Sequence, residues 1–208
     1  MKKQETSLQD IKAIRQMMED SSKFLSLSGL SGVAAGIFAI LGALIANFFI
    51  LDSASNINYE PFNNGRADNV VFELLIVALA VFVSAVMSAW YLSWRKVKKE
   101  GGKFWTPQAR KMTQNLVFFL TIGAAFSGIL IIHDSINLIA SAMLVFYGIA
   151  LINAAKYTLR DIQFLGICEI ILGLIAGIFV NYGLIFWTLG FGILHIVYGV
   201  VMYYKYER

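Results

Sequence analysis

Six long apolar runs dominate this 208-residue sequence and constrain its fold more than any other feature. A helix needs roughly 20 apolar residues to cross a hydrocarbon layer about 30 Å thick. The runs are of this length, with predicted boundaries at 24–51, 70–94, 112–132, 135–155, 162–180 and 184–204. Because 58% of the residues are hydrophobic and 14% are charged, an ordinary soluble domain is excluded. We therefore predict an all-α polytopic membrane protein with six transmembrane helices, paired as three helical hairpins.

The segment 1–23, ahead of the first run, is mostly polar. Ser7 and Asp10 are spaced as in a helix capping box. Apolar residues continue from there at helical spacing: Leu8, Ile11, Ile14, Met17 and Met18. The pattern predicts an amphipathic helix that lies in the membrane interface or docks a partner. A simple extension of the first span is the alternative interpretation.

Two connections between the runs are long enough to be loops of appreciable size. The connection 52–69 holds an Asn-Asn-Gly sequence and a proline, which are typical of loops. The connection 95–111 is rich in basic residues and contains a Gly-Gly pair. The predicted transmembrane domain is therefore 24–204, followed by a short tail at 205–208.

Lysine and arginine residues concentrate on one side of this domain. Of the 17 in the chain, only Arg66 falls in a connection on the opposite side. Since the side rich in these residues stays in the cytoplasm, we predict a multi-pass protein of the inner (plasma) membrane with both ends cytoplasmic. The net charge of +4 is no evidence for nucleic-acid binding, because membrane insertion already explains where the basic residues lie. We therefore predict no nucleic-acid partner.

Glycine residues recur on single faces of four predicted spans. Small residues let helix backbones approach closely in lipid, where the hydrophobic effect does not press helices together. We predict helix contacts at these positions: Gly29, Gly32, Gly36, Gly148, Gly166, Gly173, Gly177, Gly192 and Gly199. Exposed glycine stripes could also join two copies of the chain in a homo-oligomer.

Glu169 and His195 are the ionisable residues that lie deep in the last two predicted spans, each on a glycine-rich face. At 1.5 Å per residue they lie about 10 and about 14 Å from the same end of the domain. We therefore predict one buried polar site containing both side chains. Such residues suggest a proton or ligand site, because ionisable groups are costly in the membrane. The alternative is an interhelical bond that contributes about 0.6 kcal/mol to packing and has no further role.

Four basic residues follow the second span: Arg95, Lys96, Lys98 and Lys99. They could bind anionic lipid headgroups, at about 1 kcal/mol per residue close to the surface. Positive-inside topology by itself explains them equally well.

The sequence contains no recognisable catalytic or nucleotide-binding motif. His133 and Asp134 adjoin each other at a predicted turn, but a metal site usually needs three or four ligands. We therefore predict neither an enzyme nor a protein with a cofactor or metal.

The second half of the chain resembles the HdeD-type acid-resistance membrane proteins, which are small six-span bacterial proteins. The resemblance rests on the glycines from Gly173 to Gly177, on Phe186-Trp187 and on Tyr198-Gly199. It implies a bacterial inner-membrane protein with a stress-related role and no catalytic residues. The segment 1–23 and the connection 52–69 depart from the compact pattern of that family.

Two functions are consistent with these features. The first is a membrane scaffold or stress-related protein whose cytoplasmic face binds a protein partner or anionic lipid. The second is a small-solute or proton pathway through Glu169 and His195.

Overall fold

The computed structural model of the chain describes residues 28–51, 66–102 and 104–208. The predicted amphipathic segment 1–23 and most of the connection 52–69 lie outside the described residues. The described part is helical, with no β-strand in it, and six of its helices are long and apolar enough to cross a membrane. The prediction of an all-α polytopic membrane protein is thereby confirmed.

The helices are numbered α1 to α6 along the chain. Their bounds are α1 at Gly29–Ile45, continued by a π-helical turn at Ala46–Leu51, α2 at Arg66–Lys99, α3 at Pro107–Ile132, α4 at Ile139–Ala154 and α5 at Asp161–Ile178. Helix α6 has three consecutive parts: Gly183–Trp187, a π-helical segment Thr188–Leu194, and His195–Tyr206. We call the end of the bundle that holds the start of α1 and the end of α6 its basic end.

Helix α2 is longer than the membrane requires. Its 34 residues span about 51 Å at 1.5 Å per residue, against a hydrocarbon layer of about 30 Å. The predicted loop 95–111 is therefore helical at both of its ends. Lysines in the last turn of α2 favour this extension, because cations stabilise helix C-termini. Thr106 caps α3 by accepting a hydrogen bond from the Ala109 amide at 3.1 Å, and Pro107 occupies the first turn.

The helices associate in two groups of three. Helix α1 packs against α2 and α6, whereas α4 packs against α3 and α5. The two helices of the predicted hairpin α1–α2 thus pack together, as do the two helices of the predicted hairpin α3–α4. Helices α5 and α6 contact each other over a smaller stretch, although only a short turn joins them. The reason is that their glycine faces are turned towards α4 and α1.

Glycines form the contact between α1 and α6. A Cβ atom built on Gly36 would lie 2.5 Å from the Gly192 carbonyl oxygen, and one on Gly199 would lie 2.7 Å from the Gly29 carbonyl oxygen. On Gly32 it would lie 3.1 Å from the Gly199 Cα. The two backbones are so close that Gly36 and Gly199 have no room for a side chain, and at Gly32 a side chain would be tightly packed.

The contact between α4 and α5 is built in the same way. A Cβ on Gly148 would lie 2.5 Å from the Gly166 carbonyl oxygen, and one on Gly173 would lie 2.9 Å from the Val145 amide nitrogen. The Ser141 hydroxyl donates a hydrogen bond to the Gly173 carbonyl at 2.7 Å and lies beside Gly177.

The predicted glycine faces therefore meet inside one chain. The idea that they are exposed and join two copies was wrong, because both stripes are covered by a neighbouring helix of the same bundle. Homo-oligomerisation itself stays a prediction.

Helix α2 turns most of its apolar surface outwards. None of the residues in its most apolar window is buried. Large apolar side chains such as Phe72, Leu79 and Met87 are more than 60% exposed. An apolar surface of this extent indicates that lipid hydrocarbon covers it.

Candidate functional site

The polar side chains in the middle of the bundle lie where its two helix groups meet. Glu169 comes from α5, His195 from α6 and Tyr147 from α4. The Nδ1 atom of His195 lies 3.4 Å from Oε1 of Glu169. Its Nε2 atom lies 2.7 Å from the Tyr147 hydroxyl. The structure thus brings together the two residues singled out in the sequence and adds a third.

The hydrogen bonds of His195 indicate how its ring is protonated. Nδ1 lies 3.0 Å from the carbonyl oxygen of Gly190, which can only accept a hydrogen bond. Nδ1 therefore carries a hydrogen. In a neutral ring Nε2 is then the acceptor, and the Tyr147 hydroxyl donates to it. His195 consequently occupies both of its nitrogens without using Glu169.

Glu169 differs from His195 in having no such partners. Its side chain is 0% exposed, and among the described residues neither carboxyl oxygen has a hydrogen-bond partner. Buried polar groups are normally bonded, and leaving one without a partner costs free energy. This carboxyl group is therefore the feature of the bundle that most needs a functional explanation.

The turn that contacts Glu169 is the π-helical segment of α6. Gly190 lies in this segment, and a Cβ built on it would lie 2.5 Å from Oε2 of Glu169 and would also meet Leu144. A side chain at this position would require Leu144 and Glu169 to shift. The wider turn allows the His195 ring to bond back to the carbonyl five residues earlier. Single π-helical turns occur frequently at functional sites.

Apolar side chains separate this site from the basic end of the bundle. They come from α4, α5, α6 and the turn between α4 and α5: Leu151, Ala155, Leu159, Ile162, Leu165 and Met202. Towards the opposite end, Phe191 stacks on the His195 ring with centroids 6.0 Å apart and also contacts Trp187 and Tyr147. The site is thus enclosed by apolar and aromatic groups.

A second polar cluster lies at the basic end. Glu207 accepts hydrogen bonds from the Gly29 amide at 2.5 Å and from the Ser28 hydroxyl at 3.3 Å. The Lys96 ammonium group lies 3.5 Å from the same carboxylate. The residue after α6 therefore caps the N-terminus of α1 and also ties α2 to it.

A third cluster connects the start of α5 to the end of α6. The Lys205 ammonium group lies 3.0 Å from each carboxylate oxygen of Asp161. The Tyr206 hydroxyl donates to the same carboxylate at 2.5 Å. These bonds bring together the ends of two helices that contact each other only over short stretches elsewhere.

The four basic residues predicted to bind lipid have different surroundings. Lys96 is largely covered and pairs with Glu207. Arg95, Lys98 and Lys99 are exposed at the end of α2, and the Lys98 ammonium lies 5.1 Å from the centre of the Trp94 ring. Their role in lipid binding stays a prediction.

Sequence reasoning did not identify Tyr147, Gly190 or Glu207 as parts of these sites. Tyr147 lies about as far from the basic end of α4 as Glu169 does from the basic end of α5, so matching depths could have identified it. The role of Gly190 depends on the π-helical turn, which apolar periodicity does not reveal.

No protein-family model matches the chain, and no significant match is found among curated proteins or among solved structures.

Proposed function

We propose that this protein is a non-enzymatic scaffold of a bacterial inner membrane, with its basic end in the cytoplasm, where it binds anionic lipid headgroups. The observation that carries the proposal is the exposure of Arg95, Lys98 and Lys99 on the part of α2 that exceeds the hydrocarbon thickness. Cations placed at that level meet phosphate groups. The resemblance to HdeD-type proteins supports a stress-related setting for the scaffold.

The orientation rests on the distribution of basic residues. All lysines and arginines except Arg66 belong to connections or ends at the basic side. A reporter active only outside the cytoplasm should work when inserted at residue 60 and fail when fused after residue 208. The same compartment for both reporters would contradict the orientation and the even number of spans.

Lipid binding is tested in nanodiscs of phosphatidylglycerol and phosphatidylcholine by counting the lipids retained in native mass spectra. The variant Arg95→Gln/Lys98→Gln/Lys99→Gln should lose up to about 100-fold in preference for phosphatidylglycerol, from about 1 kcal/mol per cation. A matched control removes three exposed cations from other positions at the same end, in Lys156→Gln/Arg160→Gln/Arg208→Gln. An equal loss in both triple variants, or none in either, would contradict a lipid site on α2.

The predicted alternative, a pathway for a small solute, has less support. Gly190 packs closely against the Glu169 carboxyl group, since a Cβ built on Gly190 would lie 2.5 Å from Oε2, so little space is left on that side.

A further inference from the structure

One N–H group in the buried site faces two acceptors. The Nδ1–H of His195 lies 3.0 Å from the Gly190 carbonyl and 3.4 Å from Oε1 of Glu169. It bonds to the carbonyl, and the carboxyl group has no partner among the described residues. A small rotation of the ring would exchange the two acceptors.

The state of Glu169 decides which acceptor is better. A carboxylate is a much stronger acceptor than a peptide carbonyl, and a charged carboxylate without a donor in a buried place is very costly. An ionised Glu169 would therefore take the Nδ1–H bond. Because the bond goes to Gly190 instead, the observed arrangement fits a neutral carboxylic acid.

The ionisable groups facing Glu169 are few. Tyr147 approaches from α4 and His195 from α6, and both are already bonded to each other. Towards the basic end, α5 and α6 carry two further groups that can ionise, Cys168 and Tyr198, which interact with each other. The described surroundings thus offer Glu169 no lysine or arginine that could stabilise its negative charge.

We propose that Glu169 is a proton-binding site, and that its proton decides whether the Nδ1–H of His195 bonds to Gly190 or to Glu169. This inference does not depend on the lipid-binding proposal. When the carboxyl O–H bond breaks, the proton leaves to water and the electron pair stays on the carboxylate. The Nδ1–H then turns to Oε1, and the Gly190 carbonyl loses its side-chain partner.

The consequence extends beyond the site because Gly190 belongs to the π-helical segment of α6. The same segment contains Gly192, whose carbonyl contacts Gly36 of α1. Release of the Gly190 carbonyl therefore changes the segment that connects the α5 side of the bundle with α1. Proton binding at Glu169 is in this way linked to the contact between the two helix groups.

The protonation state is measured by infrared spectroscopy of the full chain in nanodiscs, in H₂O and in D₂O. At neutral pH we expect the C=O band of a protonated carboxylic acid, which shifts on deuteration and is lost in Glu169→Gln. The matched control is Glu73→Gln, because Glu73 is an exposed carboxyl group on α2. That variant should keep the band.

The hydrogen-bond exchange is measured by nitrogen-15 NMR in His133→Gln, in which His195 is the single histidine. At neutral pH we expect a neutral ring with the hydrogen on Nδ1. As the pH rises, the Nδ1 signal should change with the same midpoint at which the carboxyl band disappears. In His133→Gln/Glu169→Gln the signal should stay constant over that range.

Two results would overturn the proposal. One is a doubly protonated His195 with an ionised Glu169 at neutral pH, which is a permanent ion pair. The other is an Nδ1 signal that titrates identically with and without Glu169. If Glu169→Gln does not fold, His133→Gln alone still tests the proposal. The midpoint of the Nδ1 signal and the midpoint of the carboxyl band must then coincide, because different midpoints contradict the coupling.

Discussion

The α1–α6 and α4–α5 helix pairs have the same pattern of glycine contacts but differ in the ionisable residues between those glycines. Gly29 meets Gly199 in one pair as Gly166 meets Gly148 in the other, and both pairs are antiparallel. When the pairs are aligned on these glycines, α1 corresponds to α5 and α6 corresponds to α4, and the other contacts also match. The contact of Gly36 with Ile196 corresponds to that of Gly173 with Val145. The contact of Ile40 with Gly192 corresponds to that of Gly177 with Ser141. Close glycine packing thus forms the framework of both halves.

The difference lies at the level between the glycines. Glu169 of α5 occupies the place that Gly32 has in α1, and His195 of α6 occupies the place that Leu144 has in α4. Each pair therefore contributes one ionisable residue where the other pair has an apolar one. The polar site is therefore an addition to a shared framework and is not required by the helix packing itself.

The largest effect is expected from filling the glycine contacts. Gly148→Ala and Gly199→Ala should each lower the free energy of unfolding by about 1–3 kcal/mol, because the new methyl group meets a neighbouring backbone. Thermal or SDS-induced unfolding in micelles measures this. Gly128→Ala is the control, since a Cβ there meets no atom within 4 Å. If only one of the two variants lowered the free energy of unfolding, the glycine contacts of the α1–α6 and α4–α5 pairs would not be equivalent.

A stabilising effect is expected from removing the carboxyl group that has no partner. Glu169→Met keeps a long unbranched side chain and should raise the free energy of unfolding by about 1–3 kcal/mol. His195→Leu should do the opposite, because it leaves the Tyr147 hydroxyl and the Gly190 carbonyl without their partner. A loss of stability in both variants, measured in the same unfolding assay, would show that the two residues act as one ion pair.

The cap that α6 provides for α1 should give a smaller effect. Glu207→Ala removes the acceptor for the Gly29 amide and should cost about 1 kcal/mol. Hydrogen exchange should then become faster in the first turn of α1 and remain unchanged in the first turn of α5. Glu100→Ala, which removes an exposed carboxylate near the end of α2, serves as the control. Unchanged exchange in α1 would show that the cap contributes nothing.

The smallest effect is expected at the hydrogen bond that only the α4–α5 pair has. Ser141→Ala removes the bond to the Gly173 carbonyl and should cost about 0.6 kcal/mol. Thr121→Ala, which removes a bond within a single helix, is the control in the same unfolding experiment. If both variants lose equally, the interhelical bond has no special contribution.

The sequence allowed the six helices and their glycine faces to be predicted, because length, hydropathy and residue size are properties of single segments. It also placed Glu169 and His195 at similar depths, since rise per residue is constant in a helix. The partners of the glycine faces were not predictable in the same way. The predicted hairpins place α5 beside α6, but the larger contacts are those of α5 with α4 and of α6 with α1.

The details of the buried site were beyond sequence reasoning for a different reason. The bond from His195 to Gly190 exists because α6 changes from α-helical to π-helical geometry over a few residues. No difference in apolar spacing marks that change. The contact of Tyr147 with His195 likewise requires the pairing of α4 with α6, which the order of the hairpins does not specify.

The pairing of α1 with α6 also has a consequence for biosynthesis. The ribosome makes α1 first, and at 5–20 residues per second its partner emerges only after a delay on the order of ten seconds. During that interval the glycine face of α1, formed by Gly29, Gly32 and Gly36, must be covered by lipid tails or by the insertion machinery. Closure of the bundle is therefore a late, long-range step, which makes this protein sensitive to anything that interrupts translation after α5.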